Sequence, residues 1–209
     1  MNFYLISTFA VASLLLFATP GPDLLAVLGR GISQGRKAAM ITVVGYALGD
    51  VAHTAFAVVG LSALIRSSAI AFQLVKYLGA VYLIYLGVQA IRNQRQFRIV
   101  SATERIETGV ILRQSIISSI LNPKTALFFL AFLPQFIDLN AGNTQLQMLI
   151  LGVVFMLLGM LTYFPLAYFS GTVGRWIQTR QAIANKVRWI TGSIFIGLGI
   201  RAALPEKSS

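Results

Sequence analysis

Among the ionisable side chains that fall inside long apolar stretches of this 209-residue chain are Asp23, Asp50, His53 and Lys124. Asp23 and Lys124 each follow directly on a proline. One lies in Thr19-Pro20-Gly21-Pro22-Asp23, the other in Leu121-Asn122-Pro123-Lys124-Thr125, and Pro22 and Pro123 are 101 residues apart. Charges and interrupted backbone are both costly in hydrocarbon, so their joint appearance at two places marks a site. The chemistry on offer is recognition and proton exchange. An acid and a base brought together suit a small zwitterion. Nothing points to bond-making catalysis: no nucleophile motif, metal-ligand cluster or phosphate loop is present, and Gly197-Leu198-Gly199 lacks the third glycine and the preceding strand of a nucleotide fingerprint. Without cysteine and with one histidine, the chain offers neither disulfides nor a thiolate metal site, and nothing calls for a cofactor.

The local chemistry predicts how each motif behaves. A proline in an apolar helix ends it, and the helix that restarts has unsatisfied N–H groups and a positive dipole end. Pro22 reads as the first residue of such a restart, with Asp23 in its first turn. Asn122 reads as an N-cap and Pro123 as the first helical residue. A carboxylate suits that position, but a cation in a first turn opposes the dipole, so Lys124 needs another partner. Asp23 is the expected one. Pro20, Gly21, Pro22, Asp23, Asn122, Pro123 and Lys124 form the candidate substrate-binding set. Asp50, with His53 at i+3 on the same helix face, is the candidate proton carrier, together with Asp23. The plainer reading of Asp50 is a polar helix contact, with His53 or Lys76. Tyr46, His53 and Tyr163 are candidates for the cavity wall. Gly45 and Gly49 form a GxxxG pair that predicts close helix packing, and Ser193 and Gly197 form a similar pair. Pro165 is a candidate kink, and Trp176 and Trp189 are candidate interface anchors.

These residues must be positioned by membrane helices. The chain is 56% hydrophobic and only 11% charged, with mean hydropathy +0.76, far from the composition of a soluble domain. Six apolar runs are expected, about Phe3–Leu28, Ala38–Ile65, Ala69–Ile91, Gly109–Phe136, Leu146–Phe169 and Trp189–Leu204. Polar connections are expected between them, among them basic loops at Gly29–Lys37 and Gly171–Arg188. The start has no basic segment ahead of its apolar run, so the first run reads as a retained span rather than a signal peptide. The predicted fold is an all-α integral membrane protein in one domain, 1–209. Its six transmembrane helices form two inverted three-helix repeats, about 1–91 and 109–204, with broken first and fourth helices and a linker at about 92–108. A five-span version, with the first or last run not crossing, is the competing arrangement.

Twelve basic residues lie after spans one, three and five, against Arg66, Arg201 and Lys207 on the other side. The basic loops are therefore expected in the cytoplasm and both termini outside. The formal net charge of +11 is thus an orientation signal, and the expected partner is the lipid bilayer rather than nucleic acid. The glycine-rich second and sixth spans would permit a homodimer.

The ordered set of motifs resembles the LysE/RhtB family of amino-acid exporters. It comprises Ala18-Thr19-Pro20-Gly21-Pro22-Asp23, Gly31 to Gly35 with Arg36-Lys37, Gly45-Tyr46-Ala47-Leu48-Gly49-Asp50, Leu78 to Gly87, Leu121-Asn122-Pro123-Lys124, Phe128-Phe129 and Leu133-Pro134-Gln135-Phe136. The resemblance covers nearly the whole chain. It implies export of amino acids or close derivatives across a bacterial inner membrane by proton antiport, with no enzyme activity, and five or six spans. The alternatives are an exporter of another small solute or cation on the same architecture, a channel, or a non-transport membrane subunit.

Overall fold

The computed structural model describes residues 3–19, 21–61, 63, 69–92, 106–138, 141–172 and 181–203, and every regular element among them is helical. Helix α1 spans Phe3–Ala18. Apolar nearly all round, it buries one stripe at helical spacing (Phe9, Ala12, Ser13, Leu16, Phe17) and turns Val11 and Leu14 outward. Its buried hydroxyl is satisfied locally, Ser13 Oγ donating to the Phe9 carbonyl at 2.8 Å. The chain then breaks, and α2 (Pro22–Gln34) restarts with Pro22 at its first position and Gly21 extended before it. The two pieces are bent by 52°.

The expected loop at Gly29–Lys37 is not a loop. Helix α2 runs through Gln34, and α3 (Arg36–Phe56) begins after a single residue. That residue is Gly35, at φ +89°, a conformation that favours glycine and allows a one-residue reversal. A π-helical turn, Ala57–Leu61, extends α3. Helix α4 spans Ala69–Arg92. Helix α5 (Thr108–Ile120) breaks at Leu121-Asn122, and α6 (Pro123–Leu127) restarts 41° off its line. It continues as a π-helical turn, Phe128–Phe132, and a 3₁₀ turn, Leu133–Phe136. Helix α7 (Thr144–Tyr168) is capped by Asn143, whose Oδ1 accepts the Leu146 N–H at 3.1 Å, and it carries Pro165 in its last turn. Helix α8 spans Gln181–Ala203. The second basic loop is thus shorter than expected too, since α8 starts eight residues ahead of Trp189. Trp176 lies outside the described residues.

By length and composition, α3 with its extension and α7 can each cross a membrane alone. The broken pairs α1–α2 and α5–α6 raise the number to four. In α4 the shorter apolar stretch Tyr77–Arg92 stands out.

The helices pack in a definite pattern: α3 on α5 and α7, α1 and α2 on α7, and α4 on α8. Where lipid is as apolar as the side chains, burial drives helix association weakly, and close fit must do more. Gly45 and Gly49 supply it. A Cβ on either would overlap Ser115 or Ser119 of α5, so the GxxxG pair works as expected. The partner pair expected in α8 does not: Ser193 is exposed and Gly197 has open space beside it. Gly192 instead meets Gly87 of α4 backbone to backbone. These contact glycines are used inside one copy of the chain. Aromatic rings fill the centre. Phe9, Phe128 and Phe155 join α1, the π-helical turn and α7, with centroids 5.3 to 6.4 Å apart. Each such pair adds about 0.5–1.5 kcal/mol beyond burial.

Candidate functional site

The two helix restarts meet. Asn122 caps α6 with its side-chain oxygen, which accepts the Lys124 N–H at 3.0 Å. Its amide nitrogen is left to donate, and it donates to Asp23 Oδ2 at 2.5 Å, in the first turn of α2. One buried asparagine therefore ties together the N-termini of both half-helices. The second oxygen of Asp23 is buried and has no hydrogen-bond partner.

Lys124 departs from expectation. Its ammonium does not donate to Asp23. It donates to the carbonyls of Leu16 at 2.5 Å and Thr19 at 3.1 Å, at the C-terminal end of α1. The physical reason is the helix dipole. A cation is disfavoured at the N-terminus of its own helix but favoured at the open carbonyls where another helix ends. Asp23 still attracts Lys124 through space, without forming the expected ion pair. An ammonium has three donors, and these two contacts leave one.

A cavity of about 230 Å³ opens beside this junction. Thr19, Gly21, Pro22, Asn122, Pro123 and Lys124 line one side of it. Of the residues expected to bind substrate, five are therefore on one wall. Gly21 lies against Lys124: a Cβ there would lie 3.4 Å from the ammonium, in ordinary contact. Asp23 lies behind Asn122, off the wall. Pro20 lies outside the described residues. The other side is formed by Tyr82, Leu86, Gln89 and Ala90 of α4 with Phe195 of α8. None of these five was expected from the sequence. A polar Gln89 inside an apolar run was the available signal, and the i, i+4, i+7 spacing of Tyr82, Leu86 and Gln89 places them on one helix face.

Behind the cavity lies a second buried polar layer. The Tyr46 and Tyr163 rings meet edge to face at 6.4 Å, and Phe17 packs on Tyr163 at 5.5 Å. Both tyrosines feel the charge of Asp23, and Tyr163 also that of Asp50. Asp50 is buried on α3, its Oδ2 close to Gly159 of α7, and it is near enough to Asp23 for their charges to repel. Tyr46 and Tyr163 thus sit beside the buried carboxylates, Tyr46 near Asp23 and Tyr163 near both, rather than on the cavity wall. His53 turns elsewhere. Its Nε2 lies 3.0 Å from the Ser119 carbonyl, and its ring stacks on Phe129 at 5.6 Å. It faces a separate, mainly apolar hollow of about 450 Å³. The side chain of Lys76, the other suggested partner of Asp50, lies outside the described residues. Near Pro165, Tyr163 is buried, whereas Tyr168 is half exposed beneath the Arg36 guanidinium, 4.5 Å from its ring centre. Among the described residues no group of three His, Cys, Asp or Glu side chains could hold a metal ion.

A family profile described as LysE type translocator matches residues 14–205. A leucine efflux protein of Enterobacter sp. (strain 638) is 33% identical over 205 residues, covering 97% of this chain and 95% of its own length. An uncharacterized membrane protein of Bacillus subtilis (strain 168) is 35% identical, covering 88% and 91% respectively. A leucine efflux protein of Klebsiella pneumoniae is 32% identical, covering 94% and 93%. No solved structure matches the chain.

Proposed function

Because the chain belongs to the LysE type translocator family, we propose that it is a secondary transporter that exports amino acids or close derivatives across the bacterial inner membrane by proton antiport. The observation that carries this reading is the cavity beside the junction of the two broken helices, with a cation on its wall and a carboxylate one side chain behind. The N-termini of the two restarted helices and the Lys124 ammonium would hold the substrate carboxylate. Asp23 would take the α-amino group once Asn122 gives way, since one of its oxygens already lacks a partner. Asp50, shielded from the cavity, would carry or gate the coupled proton.

The packing supports six spans in two three-span repeats, and an odd number of spans in each would invert the second relative to the first. Exchanging the first three spans with the last three turns the α3–α5 contact into the α7–α1 contact and leaves α3–α7 and α4–α8 unchanged, and all four occur. Rocking one repeat against the other would then expose the cavity to each side in turn. The charge asymmetry of the connections favours cytoplasmic basic loops and outward termini. Two of the relatives are named for leucine efflux, which makes leucine the first cargo to test.

Counterflow in proteoliposomes tests the proposal. Labelled leucine should exchange against unlabelled leucine, and an imposed pH gradient should drive net movement. Asp23→Asn should abolish both activities, while Asp50→Asn should keep exchange and lose the response to the gradient. Absence of counterflow across a full panel of amino acids would sink the transporter reading; near-normal activity of both variants would sink the residue roles.

A further inference from the structure

The two walls of the cavity differ in chemistry. The wall built by the helix breaks supplies a cation, an amide and backbone ends. The wall built by α4 and α8 is uncharged. Tyr82, Leu86, Ala90 and Phe195 give it an apolar surface, and Gln89 stands at its edge. Gln89 also lines a neighbouring hollow of about 390 Å³ with Tyr85, Val88 and Arg92, and its Nε2 reaches the Tyr85 hydroxyl at 3.5 Å, on that outer side.

The wall is also held firmly. Along α4, Ala80, Leu83, Gly87 and Ala90 are buried, Tyr82, Leu86 and Gln89 are half-buried one step around, and Val81, Tyr85 and Val88 face outward. The backbone contact of Gly87 with Gly192 fixes the crossing, and a Cβ on Gly199 would likewise overlap α4 at Ala80 and Ile84. Phe195, one turn beyond Gly192, is thereby wedged with 1% of its surface exposed. A wall that cannot yield selects by shape.

We propose that this α4–α8 wall is the selectivity surface of the transporter: Leu86, Ala90 and Phe195 receive the side chain of the cargo and restrict it to neutral aliphatic groups of about leucine size. The inference rests on the export reading above and adds which residues choose the cargo. The functional groups common to all amino acids are met by the helix breaks; only the side chain reaches α4 and α8. Leu86 is the element to vary, because it is half-buried, whereas Phe195 also belongs to the buried hydrophobic core.

Counterflow of labelled leucine, alanine and phenylalanine by the full-length chain in proteoliposomes tests this, with each variant normalised to reconstituted protein. Leu86→Ala should raise the phenylalanine-to-leucine rate ratio about tenfold, the usual scale for a hydrophobic pocket changed by a few carbons. Ala90→Leu should lower leucine exchange while sparing alanine, shifting their ratio by a similar factor in the opposite sense of size. Leu86→Ile, which keeps the volume, should leave the ratios near wild type. If the first two variants scale all three substrates equally, the wall does not select and the proposal is overturned. If wild type exchanges no amino acid, the export reading itself has failed, which is a different result.

Discussion

The two helix breaks begin from the same local chemistry and end in opposite solutions. Both place a proline at the first position of the restarted helix, bending the chain by 52° in one case and 41° in the other. At the first break the restart has no side-chain cap, and its charge, Asp23, agrees with the dipole it stands on. At the second, Asn122 caps the restart, and the charge opposes the dipole. The conflict is relieved across the interface, where the Lys124 ammonium reaches the carbonyl end of α1. The second break is therefore self-sufficient in its cap but depends on the first for its charge, while the first depends on the second for the donor that holds Asp23. The difference teaches that pseudo-symmetry here is one of backbone only. The charges are complementary because each half completes the other.

Changes that remove one side of this exchange test it most severely. Lys124→Met leaves the Leu16 and Thr19 carbonyls without their donor and takes the cation from the cavity wall. A hydrogen bond to a charged group is worth about 1.5–3 kcal/mol, so initial efflux should fall by roughly 10- to 100-fold, with near-normal rates refuting the assignment. Next in effect is the charge exchange Asp23→Lys with Lys124→Asp. A direct ion pair would regain function on reversal. The geometry predicts no recovery beyond the Lys124→Met level, since an Asp at 124 would face two carbonyls, and efflux assays decide between the two.

Asn122 separates the two halves of the comparison more finely. Asn122→Ala should lose both the cap and the contact to Asp23, lowering the midpoint of thermal unfolding in detergent and efflux alike; a cap is worth about 1 kcal/mol. Asn122→Ser should restore much of the midpoint but not the efflux, because a serine can cap yet is too short to hold Asp23. Recovery of both by serine would show that Asn122 is only a cap. The smallest effects belong to the prolines. Pro22→Ala and Pro123→Ala should each change stability by about 1 kcal/mol or less and leave efflux within about twofold, since proline only pre-sets a backbone that the neighbouring contacts already define. A large loss at one proline alone would break the comparison in that half.

Much of this was legible in the chain. Helix starts at Pro22 and Pro123, the Asn122 cap and the close packing of Gly45 and Gly49 follow from rules that act within a few residues, and they appear as expected. Helix ends in polar stretches were harder to read, because Gly29–Gln34 and Gln181–Arg188 look like loops by polarity yet continue a helix. Polarity tracks the membrane boundary, whereas helical hydrogen bonding carries on past it. The site was read in part. Five residues of the expected substrate-binding set, all from the breaks themselves, lie on the cavity wall, whereas the expected lining residues Tyr46, His53 and Tyr163 do not, and Tyr82, Leu86 and Phe195 carry no unusual chemistry and look like any other membrane-facing side chain.

The sequence by itself determined that the protein is a bundle of apolar helices interrupted twice, with one acid and one base stranded at the interruptions. It determined this because proline geometry, helix capping and the cost of charge in hydrocarbon depend on neighbouring residues alone. Only the tertiary structure decided what those charges touch. It gave Lys124 to the end of α1 rather than to Asp23, made Asn122 the link between the halves, and turned His53 away from the cavity. Those choices depend on how helices far apart in the chain rotate and cross, which is set by the packing of Phe9, Phe128 and Phe155 and by glycine contacts such as Gly49 on Ser119.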